Sequence, residues 1–144
     1  MRCGLPSPFE EIAHTADVGI RARGADLCET YARAALAMSQ LQAGGGAIEP
    51  GEERCVEARG EDRATLLVDL CRQVLCAFFL DRLLLAGLEI DSLDETSLSA
   101  RAWFGRFDPT RHGEGLDVKA VTYARAAVTA VDGGGFEATL IFDI

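Results

Sequence analysis

The sequence predicts an α+β fold, in which two helices pack on a mainly antiparallel sheet and the elements follow the order ββαβαββββ. Two segments carry apolar residues at helical spacing, and each follows an aspartate that can cap a helix. The other apolar segments alternate with period two, and a triple-glycine turn joins the last two of them. The 144 residues fit one domain, with residues 1–8 as a short extension and residues 9–144 as the domain.

The first helix is predicted behind two short strands. Phe9–Ile12 and Val18–Arg23 have the composition of strands and flank a polar segment. Asp26 and Glu29 are spaced as in a capping box, in which the aspartate accepts an otherwise unpaired amide of the first turn. The helix should end before the first triple glycine, because its apolar residues recur at helical spacing up to that point: Leu27, Tyr31, Ala34, Ala35, Met38 and Leu41.

The second helix is predicted behind Asp62, a candidate cap. The window Leu66–Leu85 is the most apolar of the chain, but charged residues interrupt it, so it is interpreted as a buried helix and not as a membrane span. Its apolar face carries Leu66, Leu67, Leu70, Cys71, Val74, Leu75 and Phe78. The remaining apolar stretches predict strands at Arg54–Arg59, Leu88–Leu93, Ser97–Phe104, Val118–Val131 and Phe136–Ile144.

The composition restricts the class of partner. Lysine and arginine number 14 and aspartate and glutamate 23, so the formal net charge is −9. Binding nucleic acid through phosphate neutralisation needs clustered basic residues, so we expect no direct nucleic-acid binding. The five cysteines include no C-x-x-C pair and the N-terminus lacks a signal-peptide pattern, which predicts reduced thiols in a cytoplasmic protein with no membrane segment.

The C-terminal strand carries the first candidate site. Alternation over residues 136–144 places the apolar side chains on one face and Asp143 on the other, next to the α-carboxylate of Ile144. Adjacent anions repel unless a cation or donor neutralises them, although a solvated strand end is the simpler interpretation. Asp17 and His14 form a second candidate, and singly they are typical of a turn aspartate and a structural histidine. If the two strands lie side by side, the carboxylates make an oxygen-only site suited to calcium or magnesium.

A third candidate segment lies just before the longest predicted strand. It contains Asp108, Arg111, His112 and Lys119, together with a proline and two glycines. A loop this rich in polar side chains suits a partner-binding or ligand-binding surface. It equally suits a solvated loop that is closed by aspartate–arginine pairs.

Three segments of the chain carry short motifs in order, and in the second of them one motif runs into another. They are His14-Thr15-Ala16-Asp17-Val18-Gly19-Ile20, Phe107-Asp108-Pro109-x-Arg111-His112, Val118-Lys119-Ala120-Val121-Thr122-Tyr123 and Phe142-Asp143-Ile144. In order and spacing they resemble the archease family, and the resemblance covers almost the whole chain from Phe9. The chain departs from the family's pattern at Ala124, where a histidine is usual. It also departs in the second helix, where Leu70 follows Asp69 at a position that is usually tryptophan, and where Gln73 stands in place of an acidic residue.

The resemblance implies an accessory protein and not an enzyme. It implies a non-catalytic activator of an RtcB-type tRNA-splicing RNA ligase, which promotes guanylylation and multiple turnover of the ligase. It also implies a divalent metal bound by Asp17, Asp143 and Ile144, with calcium expected in crystals and magnesium or manganese as alternatives. The departures in the second helix and at Ala124 bear on the partner contact and leave these aspartates intact.

Two other functions remain open from the sequence. One is a chaperone or modulator of RNA- or DNA-modifying enzymes such as methyltransferases. The other is a metal-dependent phosphoesterase that uses Asp17, Asp143, Asp108 and His112, with the histidine as acid or base. The phosphoesterase is the weaker alternative, because an acidic surface repels a polyanionic substrate.

Overall fold

The computed structural model describes residues 17–144 and confirms the α+β class. The predicted strand Phe9–Ile12 and the candidate residue His14 lie outside the described residues. Within 17–144 the elements are β1 Asp17–Gly24, α1 Leu27–Gln42, β2 Glu52–Arg59, α2 Arg63–Asp81, β3 Leu83–Leu93, β4 Ser97–Arg106, α3 Pro109–His112, β5 Ala120–Ala130 and β6 Phe136–Asp143.

The strands form two antiparallel sheets of three strands each. One sheet has the order β1-β6-β5 and the other β2-β4-β3, whereas the sequence predicted one antiparallel-rich sheet. Helix α1 packs against β1, β6 and β3, and α2 packs against β5 as well as β2, β3 and β4. Because both helices contact both sheets, the main buried cluster draws side chains from both sheets and both helices.

Helix α1 is held at its start as the sequence predicts. The Asp26 side chain accepts a hydrogen bond from the Glu29 amide at 2.8 Å, and the Glu29 side chain accepts one from the amide of Ala25. The buried hydroxyl of Tyr31 donates to the carbonyl of Arg63 at 2.9 Å and so joins α1 to the first turn of α2. Burial raises the pKa of Tyr31 to about 12.

Helix α2 ends earlier than its apolar sequence indicates. Asp62 and Thr65 form a full capping box at the start, which confirms the predicted cap. At the other end Arg82 adopts a left-handed conformation with φ 55°, so the chain turns at once into β3. The interpretation of Leu66–Leu85 as one helix is therefore wrong at its end, where residues 83–85 form a buried strand start. No helix within residues 17–144 is long and apolar enough to cross a membrane.

Strand β5 is interrupted in its middle. Its pairing with β6 passes from Thr122 opposite Ile141 directly to Ala127 opposite Thr139, so residues 123–126 bulge out of the ladder. Arg125 in this bulge has φ 55°, an uncommon conformation for a residue other than glycine. The alternation of this segment predicted a longer, regular strand from Val118 to Val131, and it does not reveal the bulge.

Candidate functional site

The two candidate aspartates face each other across neighbouring strands. Asp17 is the first residue of β1 and Asp143 the last of β6, and the antiparallel register places them directly opposite. Opposed residues project from the same face of a sheet. The next pair, Val18 and Phe142, is buried in the core, so the aspartates project from the other face.

The electrostatics of the pair are unfavourable without a cation. A side-chain hydrogen bond with Asp17, partial loss of solvent and the charge of Asp17 all raise the pKa of Asp143 above its ordinary value. Among the ion pairs between residues 17–144, none includes Asp17 or Asp143. Two neighbouring carboxylates supply oxygen ligands of the kind that hard divalent ions bind.

The donor set of this pair fits a hard metal ion. Within the described part of the chain, no group of three or more His, Cys, Asp or Glu side chains could hold a metal ion. The two aspartates alone therefore do not form a complete set of metal ligands. Within residues 17–144, further ligands are main-chain oxygens, and water or a partner can supply others. Oxygen donors of this kind suit calcium, magnesium or manganese. The role of Ile144 as a third ligand remains a prediction.

The main chain around Asp143 is ordered by the segment that precedes β5. The amide of Lys119 donates to the carbonyl of Asp143 at 2.7 Å, which continues the β5–β6 pairing beyond Ala120. The amide of Leu116 donates to the carbonyl of Leu41 at 2.9 Å, close to the end of α1. The segment 107–119 therefore runs past the end of α1 to the aspartate pair.

His112 is buried within this segment and is engaged on both ring nitrogens. Nδ1 accepts a hydrogen bond from the amide of Asp108 at 3.0 Å, which leaves Nε2 to donate to the carbonyl of Ala47 at 2.7 Å. The ring also lies 5.7 Å from that of Phe107. Its placement is that of a structural histidine that holds the loop, and it offers neither a surface contact nor a free nitrogen for acid–base chemistry.

The other candidates of this segment lie on the surface. Asp108 caps the short α3 by accepting from the amide of Thr110 at 2.9 Å, and its side chain is exposed. Arg111 pairs with Glu49 at 3.5 Å and not with an aspartate of its own loop. Lys119 is exposed as well. A partner contact by Asp108, Arg111 and Lys119 stays a prediction.

The structure also reveals a polar contact that the sequence reasoning missed. Arg72 of α2 donates to the carbonyl of Val121 through Nε at 3.1 Å and Nη2 at 3.0 Å. Its Nη1 donates to the hydroxyl of Tyr123 at 2.9 Å, and its guanidinium carbon lies 4.3 Å from the centre of that ring. From the sequence, Arg72 is interpreted only as one of the charged residues that interrupt the apolar window Leu66–Leu85. A basic residue inside a buried helix was the signal that could have revealed this contact.

The chain is similar to proteins of one family in both sequence and fold. Residues 9–144 match the family model described as the Archease protein family. The protein archease of Sulfurisphaera tokodaii is 35% identical over 117 residues, which cover 80% of this chain and 84% of that protein. That of Pyrococcus abyssi is 31% identical over 140 residues, or 94% and 98% of the two chains. The solution structure of Methanobacterium thermoautotrophicum protein 1598 superimposes with a TM-score of 0.71 at 32% identity, covering 94% of this chain and 98% of that one.

Proposed function

Since this chain belongs to the archease family, as its motifs predicted, we propose that it is a non-catalytic activator of an RtcB-type tRNA-splicing RNA ligase. In this proposal it promotes guanylylation of the ligase and its multiple turnover, and it catalyses no reaction itself. The observation that carries the proposal is the pair of aspartates on neighbouring strands, because it coincides with the positions that the family motifs assign to the metal.

In the proposal, Asp17, Asp143 and an oxygen of Ile144 hold the divalent cation. When bound, the ion supplies a positive charge that interacts with phosphate oxygens of the nucleotide. The protein's own part is to hold the two carboxylates at a fixed separation through the β1–β6 ladder and to hold the Asp143 main chain through Lys119. A site built on paired strands keeps its geometry better than one built on a loop.

The net charge of the chain supports a basic partner. A protein with a charge of −9 is drawn towards a cationic cleft, such as one that binds RNA and a nucleoside triphosphate, and it is repelled from nucleic acid itself. Such steering makes association fast at low ionic strength and slower as salt is added. Complex formation should therefore slow with added salt, whereas a purely apolar contact would not.

The test uses isosteric variants in a ligase guanylylation assay. Asp17→Asn and Asp143→Asn keep the size of the side chain and remove one charge, and we expect both to lose the stimulation and the calorimetric binding of manganese or calcium. Asp132→Asn is the matched control, because Asp132 is an exposed acid in the β5–β6 turn, at the other end of these strands. Each variant is first shown to be folded by thermal unfolding in EDTA. The two site variants should be no less stable than the wild type there, since like charges opposite each other destabilise a sheet. Full stimulation by both folded site variants would reject the proposal.

A further inference from the structure

Strand β5 has an unpaired edge beyond its bulge. It is an outer strand of the β1-β6-β5 sheet, so one side of it has no strand neighbour. The amide of Val131 donates to the carbonyl of Gly135 at 3.0 Å across the hairpin turn. Because the main-chain groups of successive residues alternate between the two sides of a strand, Val128 and Ala130 direct theirs away from β6. Within residues 17–144 these groups have no hydrogen-bond partner, so they are free to pair with a further strand.

A groove gives access to this edge. Before the bulge, α2 lies against β5 and Arg72 occupies the carbonyl of Val121. Beyond the bulge there is a groove of about 450 Å³ between the strand and the start of the helix. It is lined by residues 126–129 of β5, residues 61–64 at the start of α2 and Glu95 of the β3–β4 turn, and we call it the β5 groove. An incoming strand can therefore reach β5 beyond the bulge.

This stretch of β5 lacks the charges that protect the other sheet edges. The outer strands β1, β2 and β3 carry exposed charged side chains: Arg21, Arg23, Glu52, Glu53, Glu57, Arg59, Glu89 and Asp91. Charged side chains on an outer strand discourage the addition of another strand. Residues 126–130 are Ala-Ala-Val-Thr-Ala, with neither a charge nor a proline. Among the outer strands of residues 17–144, strand addition is therefore least opposed here.

The charged side chains that line the β5 groove are mainly acidic. Glu61 and Glu95 are exposed, and neither takes part in an ion pair within residues 17–144. Asp62 also lines the groove and is held as the cap of α2. Arg63 is the one basic residue among the described residues that line it, and its guanidinium carbon lies 5.8 Å from the centre of the Phe136 ring. The lining therefore has a net negative charge.

The charges next to the β5 groove do not change this sign. Within three residues of the lining in the sequence, two exposed residues are basic and two are acidic: Arg59, Arg125, Asp94 and Asp132. These four offset each other, so the groove suits a strand that carries lysine or arginine. A second copy of this chain does not offer such a strand at this edge. Its own residues 126–130 are uncharged, and it brings the same acids, Glu61 and Glu95.

We propose that the edge of β5 at residues 126–130 binds an extended, lysine- or arginine-rich segment of a partner protein. The segment adds a fourth strand to the β1-β6-β5 sheet. Main-chain hydrogen bonds to Val128 and Ala130 supply the affinity, as in other cases of strand addition. Glu61 and Glu95 favour basic side chains on the segment, because they are carboxylates without a partner of their own.

This surface lies apart from the aspartate pair. Thr129 is opposite Glu137, and Glu137 is six residues from Asp143 along β6. At about 3.3 Å per residue, the distance along the strand is roughly 20 Å. A bound segment therefore leaves the aspartate pair accessible, and the inference goes beyond the proposed activator function without depending on it.

The experiment measures the binding of two synthetic peptides to the full-length protein by calorimetry and by amide exchange. The first is an octapeptide that alternates valine and lysine, and the second has glutamate in place of lysine. We expect the lysine peptide to bind and to slow the exchange of the amides of Val128 and Ala130, because these become hydrogen-bonded. The glutamate peptide should bind at least about tenfold more weakly, since it brings like charges to the groove.

Two variants test the two components of the site. Ala130→Pro removes an amide that points away from β6, so it leaves the β5–β6 ladder intact and should weaken binding by about tenfold or more. The double variant Glu61→Gln, Glu95→Gln should bind the lysine peptide about fivefold more weakly and with less dependence on salt. Glu57→Gln, at an exposed position on β2, is the matched control and should bind as the wild type does. Thermal unfolding establishes that each variant is folded.

Each outcome decides one part of the inference. Slowed exchange at Val128 and Ala130, with weaker binding in the folded variants, supports it. If neither peptide binds at millimolar concentration, or the slowed amides lie elsewhere, strand addition at β5 is wrong. If both peptides bind equally, or the double glutamine variant binds as the wild type does, the preference for a basic segment is wrong. If sedimentation shows a wild-type dimer that Ala130→Pro dissociates, the edge joins two copies and the partner assignment is overturned. None of these measurements involves the ligase, so the activator function is tested separately.

Discussion

Replacing Arg72 tests how α2 holds the irregular part of β5. Arg72→Met removes two bonds to the Val121 carbonyl, one to the Tyr123 hydroxyl and a cation–π contact. A hydrogen bond from a charged donor contributes about 1.5–3 kcal/mol, and an exposed cation–π contact adds about 0.5–1 kcal/mol. The two bonds to Val121 share one acceptor and the side chain is partly solvated, so we expect a loss of about 2 kcal/mol in the free energy of unfolding.

The assay is urea unfolding followed by circular dichroism, together with amide exchange. For a chain of this length, a loss of about 2 kcal/mol corresponds to a fall in Tm of roughly 5–8 °C. Arg72→Lys should recover only part of the loss, because an ammonium cannot reproduce the forked contact. Exchange should accelerate at residues 122–127 before other parts of β5. Arg59→Lys, at an exposed position, is the control for the effect of replacing an arginine by a lysine. A change below about 0.5 kcal/mol in Arg72→Met would show that the contact does not hold the strand.

Three other predictions concern buried or capping groups. Ser39→Ala should cost about 1–3 kcal/mol of unfolding free energy in urea titration, because it leaves the buried amide of Leu85 without its acceptor at 3.0 Å. Ser92→Ala, at an exposed position, should change little. Burial raises the pKa of Cys71 to about 12, so this thiol should resist an aqueous thiol reagent at pH 8 until the protein unfolds, while Cys76 reacts in the native state. Hydrogen bonds donated by the Thr96 amide and by the hydroxyl and amide of Ser97 lower the pKa of Asp94. The stability that Asp94 contributes is therefore present above its unfolded pKa near 3.8 and disappears as the pH falls through the folded value. The difference in Tm between wild type and Asp94→Ala should therefore shrink below pH 4, and a constant difference would contradict this.

The helices were predictable because their signals are local. Asp26 and Asp62 are capping residues at the start of runs with helical spacing, and both act as caps in the structure. The end of α2 was not predictable in the same way. Arg82 adopts a left-handed conformation that usually marks glycine, so no residue type indicates that the apolar run changes from helix to strand.

The features that depend on distant contacts were predicted only in part. Alternation over β6 placed Asp143 opposite the core face, and the structure agrees. Its position beside Asp17 depends on the pairing of strands far apart in the sequence, which alternation does not specify. Arg72 contacts β5 at the start of the bulge at residues 123–126, and His112 bonds to the carbonyl of Ala47, so both features involve residues distant in the sequence.

The sheet order has a consequence for biosynthesis. The strands β2, β3 and β4 are consecutive in the chain, whereas β1 pairs with β6, the last strand of the described fold. A ribosome releases the chain from its N-terminus, so the β2-β4-β3 sheet can close while β6 is still inside the exit tunnel. Asp17 therefore remains without the neighbour it has in the folded protein until β6 has left the tunnel and paired with β1.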